Sequence, residues 1–345
     1  MGFELRSNAI EPVRNTFSYL EERFGDRQAT RYQEASFNVQ PTENFHYRPT
    51  WDADRELYDP DYTVLKLADP YGYTDPRQYY YTPYVAAAAA RHESFAQTLK
   101  YIEDRRLLDK LPDSFQITLR GFVLPLRHYE SGAQLIALNG SRFAWGTTVE
   151  QPIAFAAMDR MGNAQQLSLV GLAMAGGAGD TLAEAKKNWL FSGPLQGIRK
   201  AMEELLVEGD WAVGLIGLDL IDELLHPVVF EHLDDRALAR GAVAYSQLAR
   251  HFGDWYRNHR KFMASLLKAW ATDPEHGESN REAMSDIAGR WFPIVHTAVA
   301  EFAVGIAEAA GSTTAVAAVE RSSAELTNQL TKLGVHVRAV QEAAR

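Results

Sequence analysis

Residues 215 to 229 read LIGLDLIDELLHPVV, and this stretch indicates the fold class of the chain. From Trp211 to His226 almost every residue is apolar, which is typical of a helix that is buried on all sides. Pro227 lacks a backbone donor and predicts the end of that helix. Four polar residues recur at spacings of three and four, so they share one helix face: Asp219, Asp222, Glu223 and His226. We therefore expect a core helix with a single polar stripe.

Helical patterns extend over most of the chain after residue 85. No run alternates for long with a period of two, so we expect an all-α bundle with little or no sheet. The sequence TLAE at 181–184 predicts a capping box at the start of a helix. The glycines of AMAGGAGD at 173–180 predict a break between helices, because this stretch lacks the strand and Lys-Ser/Thr pair of a phosphate loop. The predicted helices are 85–108, 113–138, 149–176, 181–207, 211–226, 229–272 with breaks, 278–310 and 313–343.

The segment before these helices has a different composition. Thirteen aromatic residues lie between Tyr32 and Tyr84, and six of the 14 prolines lie between Pro41 and Pro83. Proline restricts its own backbone and that of the preceding residue, so we expect an extended arm with short turns over residues 31–83. The predicted organisation is an N-terminal arm, a helical domain and a C-terminal helical extension, at residues 1–84, 85–310 and 311–345.

The rings of this arm need a surface, because exposed they would form a large apolar patch. The arm either wraps its own helical domain or straps onto another subunit, and composition leaves both interpretations open. Eight rings are the candidate contacts of a subunit-wrapping arm: Tyr32, Phe37, Phe45, Tyr47, Trp51, Tyr79, Tyr80 and Tyr81.

Composition excludes several classes of partner. The formal net charge is −10 and the Lys and Arg residues do not cluster, so we expect no nucleic-acid partner. The chain has no cysteine, which excludes disulfides, thiol nucleophiles and iron–sulfur ligands of its own. The stretch LSLVGLAMAGGAG is too short and too rich in glycine to span a bilayer, and MGFELRSNAIEP does not resemble a signal peptide. We therefore expect a cytoplasmic protein without a membrane partner.

A helical bundle of this kind is a candidate for a di-iron centre, which requires Glu-x-x-His on each of two helices and a Glu on each of two others. Glu43 and His46 have this spacing but lie in the proline-rich arm, whereas Glu223 and His226 lie in the polar stripe. The nearest opposing candidate, His128, has proline at the position where the carboxylate would be. We keep Glu223, His226 and His128 as residual metal candidates, and favour a buried, hydrogen-bonded stripe or an interface face.

The sequence LPLRHYESGAQ at 124–134 brings together Arg127, His128 and Glu130. We interpret this triplet as a charge network inside the bundle rather than as an acid/base pair. The chain also lacks the G-x-S-x-G motif of a nucleophile elbow. These observations predict a helical protein without its own active site.

Seven stretches, the first two of which overlap, carry a family resemblance: EPVRNTFSYLEERFGDRQATRYQEAS at 11–36, RYQEASFNVQPTENFHYRPTWD at 31–52, TDPRQYYYTPYV at 74–85, LPLRHYESGAQ at 124–134, AAMDRMG at 156–162, GDW at 209–211 and IDELLHPVVFEHLD at 221–234. In their order and spacing the chain resembles the hydroxylase β subunit of bacterial multicomponent monooxygenases of the phenol-hydroxylase type, which are soluble di-iron monooxygenases. The resemblance extends to about residue 305.

The resemblance implies a ferritin-like bundle that forms part of an α₂β₂γ₂ hydroxylase, with partners α, γ and a second β. In such an assembly the di-iron centre belongs to α, and the β chain holds no cofactor, metal ligand or catalytic residue. Electrons from NAD(P)H arrive through an FAD/iron–sulfur reductase, and a regulatory protein couples them to hydroxylation of phenol or related aromatics with O₂. The arm then resembles a strap across neighbouring subunits. Alternatives are the β subunit of an alkene- or alkane-oxidising relative, an autonomous di-iron carboxylate protein, and a helical scaffold unrelated to oxygenation.

Overall fold

The computed structural model describes residues 17–40, 59–310 and 314–337. These ranges contain thirteen α-helices, a few 3₁₀ and π-helical turns, and no strand. The prediction of an all-α protein is therefore confirmed for the described part of the chain. The helices are α1 (Ser18–Phe24), α2 (Arg31–Ser36), α3 (Tyr81–Asp104), α4 (Asp113–Thr118), α5 (Leu126–Phe143), α6 (Thr147–Met174), α7 (Asp180–Phe191), α8 (Gly193–Leu206), α9 (Trp211–His226), α10 (Leu233–Arg240), α11 (Val243–Ala271), α12 (Gly277–Ala310) and α13 (Thr314–Lys332).

Helix α9 lies at the centre of the fold. All of its residues are buried, and it contacts α5, α8, α12 and α13. Asp210 caps its first turn, since the carboxylate accepts hydrogen bonds from the backbone N–H groups of Ala212 and Val213 at 2.8 and 3.3 Å. After His226 the chain continues through a π-helical turn at Pro227–His232 into α10. The predicted core helix, with a proline directly after it, is confirmed.

Side chains of three helices, α5, α6 and α11, contact the polar stripe of α9. Helices α5 and α6 form an extensive pair joined by the short loop 144–146. Helix α11 packs against both α6 and α9, and α3 packs against α6 and α11. Polar side chains of α5, α6, α9 and α11 therefore meet in one interior.

Helix α12 is long and apolar enough, between Gly277 and Ala309, to span a membrane by length and composition. It packs along α8, α9 and α13, and it buries Trp291, Val295 and Phe302 in the core. A core helix of a globular domain has the same composition as a membrane span, so these contacts account for the apolar character of α12.

Several helix boundaries differ from the sequence prediction. Thr181 is buried within the first turn of α7, which has no side-chain cap, so the predicted capping box is wrong. The predicted helix 113–138 is interrupted by a π-helical turn at Leu119–Val123 before α5 begins. Helix α13 ends at Lys332 rather than 343, close to Gly334, whose φ of 76° is in the left-handed region that glycine favours. The predicted break after α6 is confirmed at 175–179.

The start of the arm is helical rather than extended. Residues 31–36 form α2, which opens with a capping box between Thr30 and Gln33. The Thr30 hydroxyl accepts from the Gln33 backbone N–H at 3.2 Å, and the Gln33 side chain accepts from the Thr30 N–H at 2.9 Å. The prediction of an extended segment is wrong here, because this local T-x-x-Q pattern satisfies the first N–H groups of a helix.

The described part of the arm packs on its own chain. Tyr32 and Phe37 are buried in a small cluster with Leu20 and Ala29, separate from the main core. The Tyr32 hydroxyl accepts a hydrogen bond from the backbone N–H of Asp75 at 3.1 Å. These two rings therefore hold the arm together, and Ser36 and Gln40 join it to the bundle by hydrogen bonds to the Gln151 side chain and the Ala144 carbonyl, each at 3.0 Å.

The other predicted contact rings are exposed to different degrees. The Tyr79 ring is half-buried 6.1 Å from the Tyr84 ring, and Tyr80 packs partly against the cluster of Tyr32. Tyr81, at the start of α3, is 69% exposed. The remaining predicted contacts lie outside the described residues: Phe45, Tyr47 and Trp51.

Candidate functional site

The interior between α5, α6, α9 and α11 holds a buried cluster of charged side chains centred on Arg160 of α6. Arg160 is 1% exposed, and its guanidinium donates to both carboxylate oxygens of Glu130 on α5 at 3.3 Å. It also forms a close ion pair with Asp222 on α9. The indole of Trp255 on α11 lies 4.6 Å from the guanidinium carbon and covers its face. One cation is thus enclosed by side chains from all four helices.

His226 lies on the other side of the same two carboxylates. Its Nε2 is 3.3 Å from Asp222 Oδ1 and 3.8 Å from Glu130 Oε1. Its ring stacks on Tyr256 of α11 at 4.7 Å, with an interplanar angle of 6°. Its Nδ1 is buried and has no hydrogen-bond partner among the described residues. The imidazole is therefore held between the ring of Tyr256 and the carboxylates of Asp222 and Glu130.

Two neutral donors complete the shell of the carboxylates. The Tyr129 hydroxyl donates to Asp222 Oδ1 at 2.6 Å, and the Asn163 amide donates to Glu130 Oε2 at 3.4 Å. Both carboxylates are thus held by hydrogen bonds as well as by charge.

The electrostatics of the cluster assign the negative charge most firmly to Asp222. Burial alone would raise the pKa of Asp222, but the Arg160 guanidinium and His226 hold it far below its usual range. Burial raises the pKa of Glu130, although Arg160 opposes this effect. Burial alone would lower the pKa of Arg160, but the two carboxylates raise it above its usual value. The guanidinium is therefore a permanent cation of the interior.

The polar stripe of α9 divides between two arginines. Asp219 and Glu223 form close ion pairs with Arg260 of α11, while Asp222 and His226 face the Arg160 cluster. Burial raises the pKa of Asp219 and of Glu223, although Arg260 opposes it. The prediction of a buried, hydrogen-bonded stripe is confirmed, and Glu223 and His226 have different partners despite their i, i+3 spacing.

His128 contacts Trp189 rather than the polar stripe of α9. Its ring stacks with Trp189 at 6.2 Å and an interplanar angle of 28°, and its Nε2 is buried without a hydrogen-bond partner among the described residues. Burial, aided by Arg127 and Lys186, lowers its pKa to about 4. His128 and Glu130 therefore contact different groups. Of the two, only Glu130 takes part in the buried charge network.

An open pocket of about 260 Å³ reaches the edge of the cluster from the surface between α3, α6 and α11. At its floor the carboxylate of Asp159 accepts from the Tyr84 hydroxyl at 2.9 Å and from the Trp255 indole at 3.1 Å, and pairs with Arg91 at 2.5 Å. Asn163 also lines the pocket and donates to Glu130. A single side chain thus separates the pocket from the buried carboxylates.

The four helices carry the framework of a di-iron site but not its ligand set. Such a site takes one carboxylate from each of two helices, which Glu130 and Asp222 provide, and Glu-x-x-His from each of the other two. At that i, i+3 spacing α6 has Arg160 and Asn163, and α11 has Tyr256 and His259. A guanidinium between the carboxylates repels a metal cation, so these residues do not fit a di-iron centre. Within 17–40, 59–310 and 314–337 no three His, Asp or Glu side chains are arranged to hold a metal ion.

Sequence reasoning missed Arg160, Asn163, Tyr256 and His259. A di-iron motif has Glu and His at positions i and i+3. Arg160 and Asn163 on α6, and Tyr256 and His259 on α11, have the same spacing but are not a Glu-His pair. A search for any two polar residues at i, i+3 on apolar helices would have found them, since MDRMGN and DWYRNH both contain such a pair.

Comparison with known proteins gives a consistent result. The model of the protein family described as Methane/Phenol/Alkene Hydroxylase matches residues 49–274 of this chain. The chain is 34% identical to phenol 2-monooxygenase oxygenase component DmpL of Pseudomonas sp. strain CF600, over 98% of this chain and 99% of that protein. It is 24% identical to the propane 2-monooxygenase hydroxylase small subunit of Mycolicibacterium smegmatis, over 77% of this chain and 74% of that protein.

A solved structure is similar over nearly the whole chain. It is the crystal structure of xenon-pressurised phenol hydroxylase from Pseudomonas sp. OX1, with a TM-score of 0.89 and 34% identity, covering 98% of this chain and all of that one. The predicted ferritin-like helical fold and the predicted phenol-hydroxylase-type resemblance are confirmed by these similarities.

Proposed function

The chain belongs to the Methane/Phenol/Alkene Hydroxylase family, and from that premise we propose that it is the non-catalytic β subunit of the hydroxylase component of a multicomponent monooxygenase. Its relatives of 34% identity are components of phenol-oxidising enzymes by name. The proposed substrates are phenol or related aromatics, hydroxylated with O₂ and electrons derived from NAD(P)H.

The observation that carries this proposal is the position of Arg160. Its guanidinium lies between Glu130 and Asp222, where the bundle would have to hold iron to be catalytic itself. The di-iron centre therefore belongs to a partner α subunit, and this chain supports α and its dimer in an α₂β₂γ₂ hydroxylase. A reductase with FAD and an iron–sulfur centre, and a regulatory protein, complete the proposed cytoplasmic system.

The arm supplies part of the proposed contact with neighbouring subunits. Ser36 and Gln40 join the arm to its own bundle through hydrogen bonds to Gln151 and to the Ala144 carbonyl, and the largely exposed Tyr81 is available to a partner. Phe45, Tyr47 and Trp51, outside the described residues, are proposed as further contacts because their rings need a surface to cover them.

Iron content and co-purification test the proposal. This chain is expressed alone and together with the larger hydroxylase chain that carries two helical Glu-x-x-His motifs. We expect the two chains to purify together, with two irons for each α and none for each β. Two irons bound to this chain alone, with turnover of an aromatic substrate, would identify an autonomous di-iron enzyme instead. Failure to bind the larger chain would contradict the proposed role as a β subunit.

The substrate class has a second candidate, which the similarity to a propane 2-monooxygenase subunit favours. In that case the chain is the β subunit of an alkane- or alkene-oxidising relative. The reconstituted hydroxylase separates the two, because turnover of phenol without turnover of propane or propene is expected for the phenol-hydroxylase type.

A further inference from the structure

Helix α6 has the composition of a helix that is buried on every side. Its 28 residues include three charged side chains, Glu150, Asp159 and Arg160. Asp159 and Arg160 are buried, Glu150 lies in the first turn, and no further charged residue occurs before the helix ends at Met174. A helix that is apolar all round normally lies in a core. The composition of α6 therefore calls for its outer face to be covered.

In the single chain this outer face is open to solvent. The exposed residues of α6 recur at spacings of three and four, so they form one stripe: Met158, Met161, Gln165 and Leu169. Its three apolar members are each between 44% and 47% exposed. Helix α11 of the same bundle is different, because its exposed row at similar spacing is entirely charged: Arg250, Asp254, Arg257 and Lys261. The stripe on α6 is thus unlike a solvated helix face of this protein.

Helix α3 lies closely beside α6. The Tyr84 ring stacks on Phe155 of α6, with the ring centroids 4.1 Å apart and an interplanar angle of 9°. Further along, a Cβ added at Gly162 would lie 2.7 Å from the His92 ring. The outer surfaces of the two helices are therefore neighbours.

The first turns of α3 extend the apolar stripe. Tyr81, Val85 and Ala89 are exposed, and their spacing of four puts them on one side of the helix. Phe95 and Thr98 face α11 instead, through contacts with Phe252 and His251. No charged residue occurs between residues 81 and 90. The two helices thus present one continuous surface without charge.

We propose that this surface, the α3–α6 face, is where the larger α chain of the hydroxylase docks. Its apolar members are Tyr81, Val85, Ala89, Met158, Met161 and Leu169. The inference rests on the proposed function and specifies where the two chains meet. The part of α that covers the face is itself apolar, because a charged group pressed against it would lose hydration without gaining a partner. Methionine suits such a contact, since its unbranched side chain adapts to the surface that it meets.

The size of the face favours α over a second copy of this chain. From Met158 to Leu169 the stripe is about 17 Å long, and two adjacent helices are about 20 Å wide. These dimensions give roughly 350 Å², whereas a stable interface buries about 800 Å² on each partner. A second copy seated on this face alone would bury too little. The α chain is also proposed to receive the arm, and Tyr81 joins the two contacts into one surface.

The test compares two leucines in the full-length chain. Leu169→Glu places a charge in the α3–α6 face, and Leu238→Glu places the same charge on α10, where Leu238 is 64% exposed. Both sites are exposed in the free chain, so the Tm of each free variant should stay within about 2 °C of the wild type. The dissociation constant for the α chain should rise at least tenfold for Leu169→Glu, because assembly buries an unpaired charge. It should not change for Leu238→Glu.

Oxidation of methionine tests the same face without any substitution. Met158 and Met161 are exposed in the free chain, whereas Met202 and Met263 are buried. Hydrogen peroxide should oxidise Met158 and Met161 at least tenfold more slowly in the assembled hydroxylase than in the free chain, as measured by mass spectrometry. Met202 and Met263 should react slowly in both.

The outcomes separate this inference from the proposed function. Equal affinities of Leu169→Glu and Leu238→Glu for α, or equal oxidation of Met158 and Met161 in the free and assembled chains, overturn the α3–α6 face as the docking surface. The β-subunit function then stands, because α still binds. A wild-type chain that does not bind α overturns both. If Leu169→Glu abolishes a dimer of the free chain and leaves its affinity for α unchanged, a second copy covers the face and the proposal is wrong.

Discussion

Single residues determine the character of the interior, where two arginines each lie between two carboxylates. Arg160 pairs with Glu130 and Asp222, and Arg260 pairs with two carboxylates one turn apart on α9. Buried pairs of this kind add little net stability, because desolvation offsets most of the attraction. Their effect is to fix which helix faces meet, since any other rotation of α6 or α11 would leave a buried charge unpaired.

Glu150, in the first turn of α6, makes the fold sensitive to pH. Burial raises its pKa to about 7, although a hydrogen bond from the Gln40 side chain acts in the opposite direction. Because the folded state favours the protonated acid, its stability is highest at low pH and falls as the pH rises through 7. We expect the Tm to fall between pH 5 and 8, by the equivalent of about 2 kcal/mol. Thermal unfolding across that range measures it.

The matched variants are Glu150→Gln and Glu93→Gln. Glu150→Gln removes the ionisable group, so its Tm should change less with pH than that of the wild type. Glu93 is exposed on α3 and its substitution should leave the wild-type pH dependence intact. If the slope between pH 5 and 8 is the same for Glu150→Gln and the wild type, Glu150 is not the responsible group.

Helices pack closely in this bundle where glycine removes a side chain from the contact. At Gly197 of α8 an added Cβ would lie 2.9 Å from the backbone Cα of Ala298 on α12. Backbone cannot move aside as the end of a flexible side chain can, so Gly197→Ala should push α8 and α12 apart. We expect a loss of about 1–3 kcal/mol in the free energy of unfolding, measured by chemical denaturation.

Gly289 of α12 is the control for this prediction. An added Cβ there meets no atom within 4 Å, so Gly289→Ala should gain about 0.5–1 kcal/mol from helix propensity alone. Stabilisation by both substitutions would show that the α8–α12 contact tolerates a methyl group at Gly197.

At the scale of the whole molecule, Tyr81 at the start of α3 is exposed, and it belongs to the proposed contact with partner subunits. If the arm straps onto an α subunit, Tyr81→Ala should weaken association with α by about 1–3 kcal/mol, as expected for an aromatic contact at an interface. Trp51→Ala should act in the same direction. Binding to the α chain is measured directly, together with the iron content of the assembled hydroxylase, which should stay at its wild-type value for each α.

Tyr101 near the other end of α3 is the matched control, since it is also a tyrosine and is 49% exposed. Tyr101→Ala should leave association unchanged. Equal losses for Tyr81→Ala and Tyr101→Ala would argue against a contact at the start of α3. Loss of iron from each assembled α would show that these residues act on the metal centre instead.

The sequence by itself determined the helices and the buried nature of α9, because helical periodicity and proline breaks act over a few neighbouring residues. It also identified the family, through segments whose order and spacing run along most of the chain. It placed α9 from Trp211 to His226 with the bounds that the fold has. It misjudged α2 and the end of α13, where one capping pattern and one glycine decided the local backbone.

Only the tertiary structure decided which polar side chains meet. Glu130, Arg160 and Asp222 are separated by 30 and 62 residues along the chain, so no local pattern joins them. Their contact depends on how α5, α6 and α9 are rotated against one another. The same spacing of polar residues on a helix is compatible with a metal ligand set or with an ion pair. Which of the two forms depends on the side chain that faces the carboxylates across the interior. Here that side chain is the guanidinium of Arg160, so an ion pair forms.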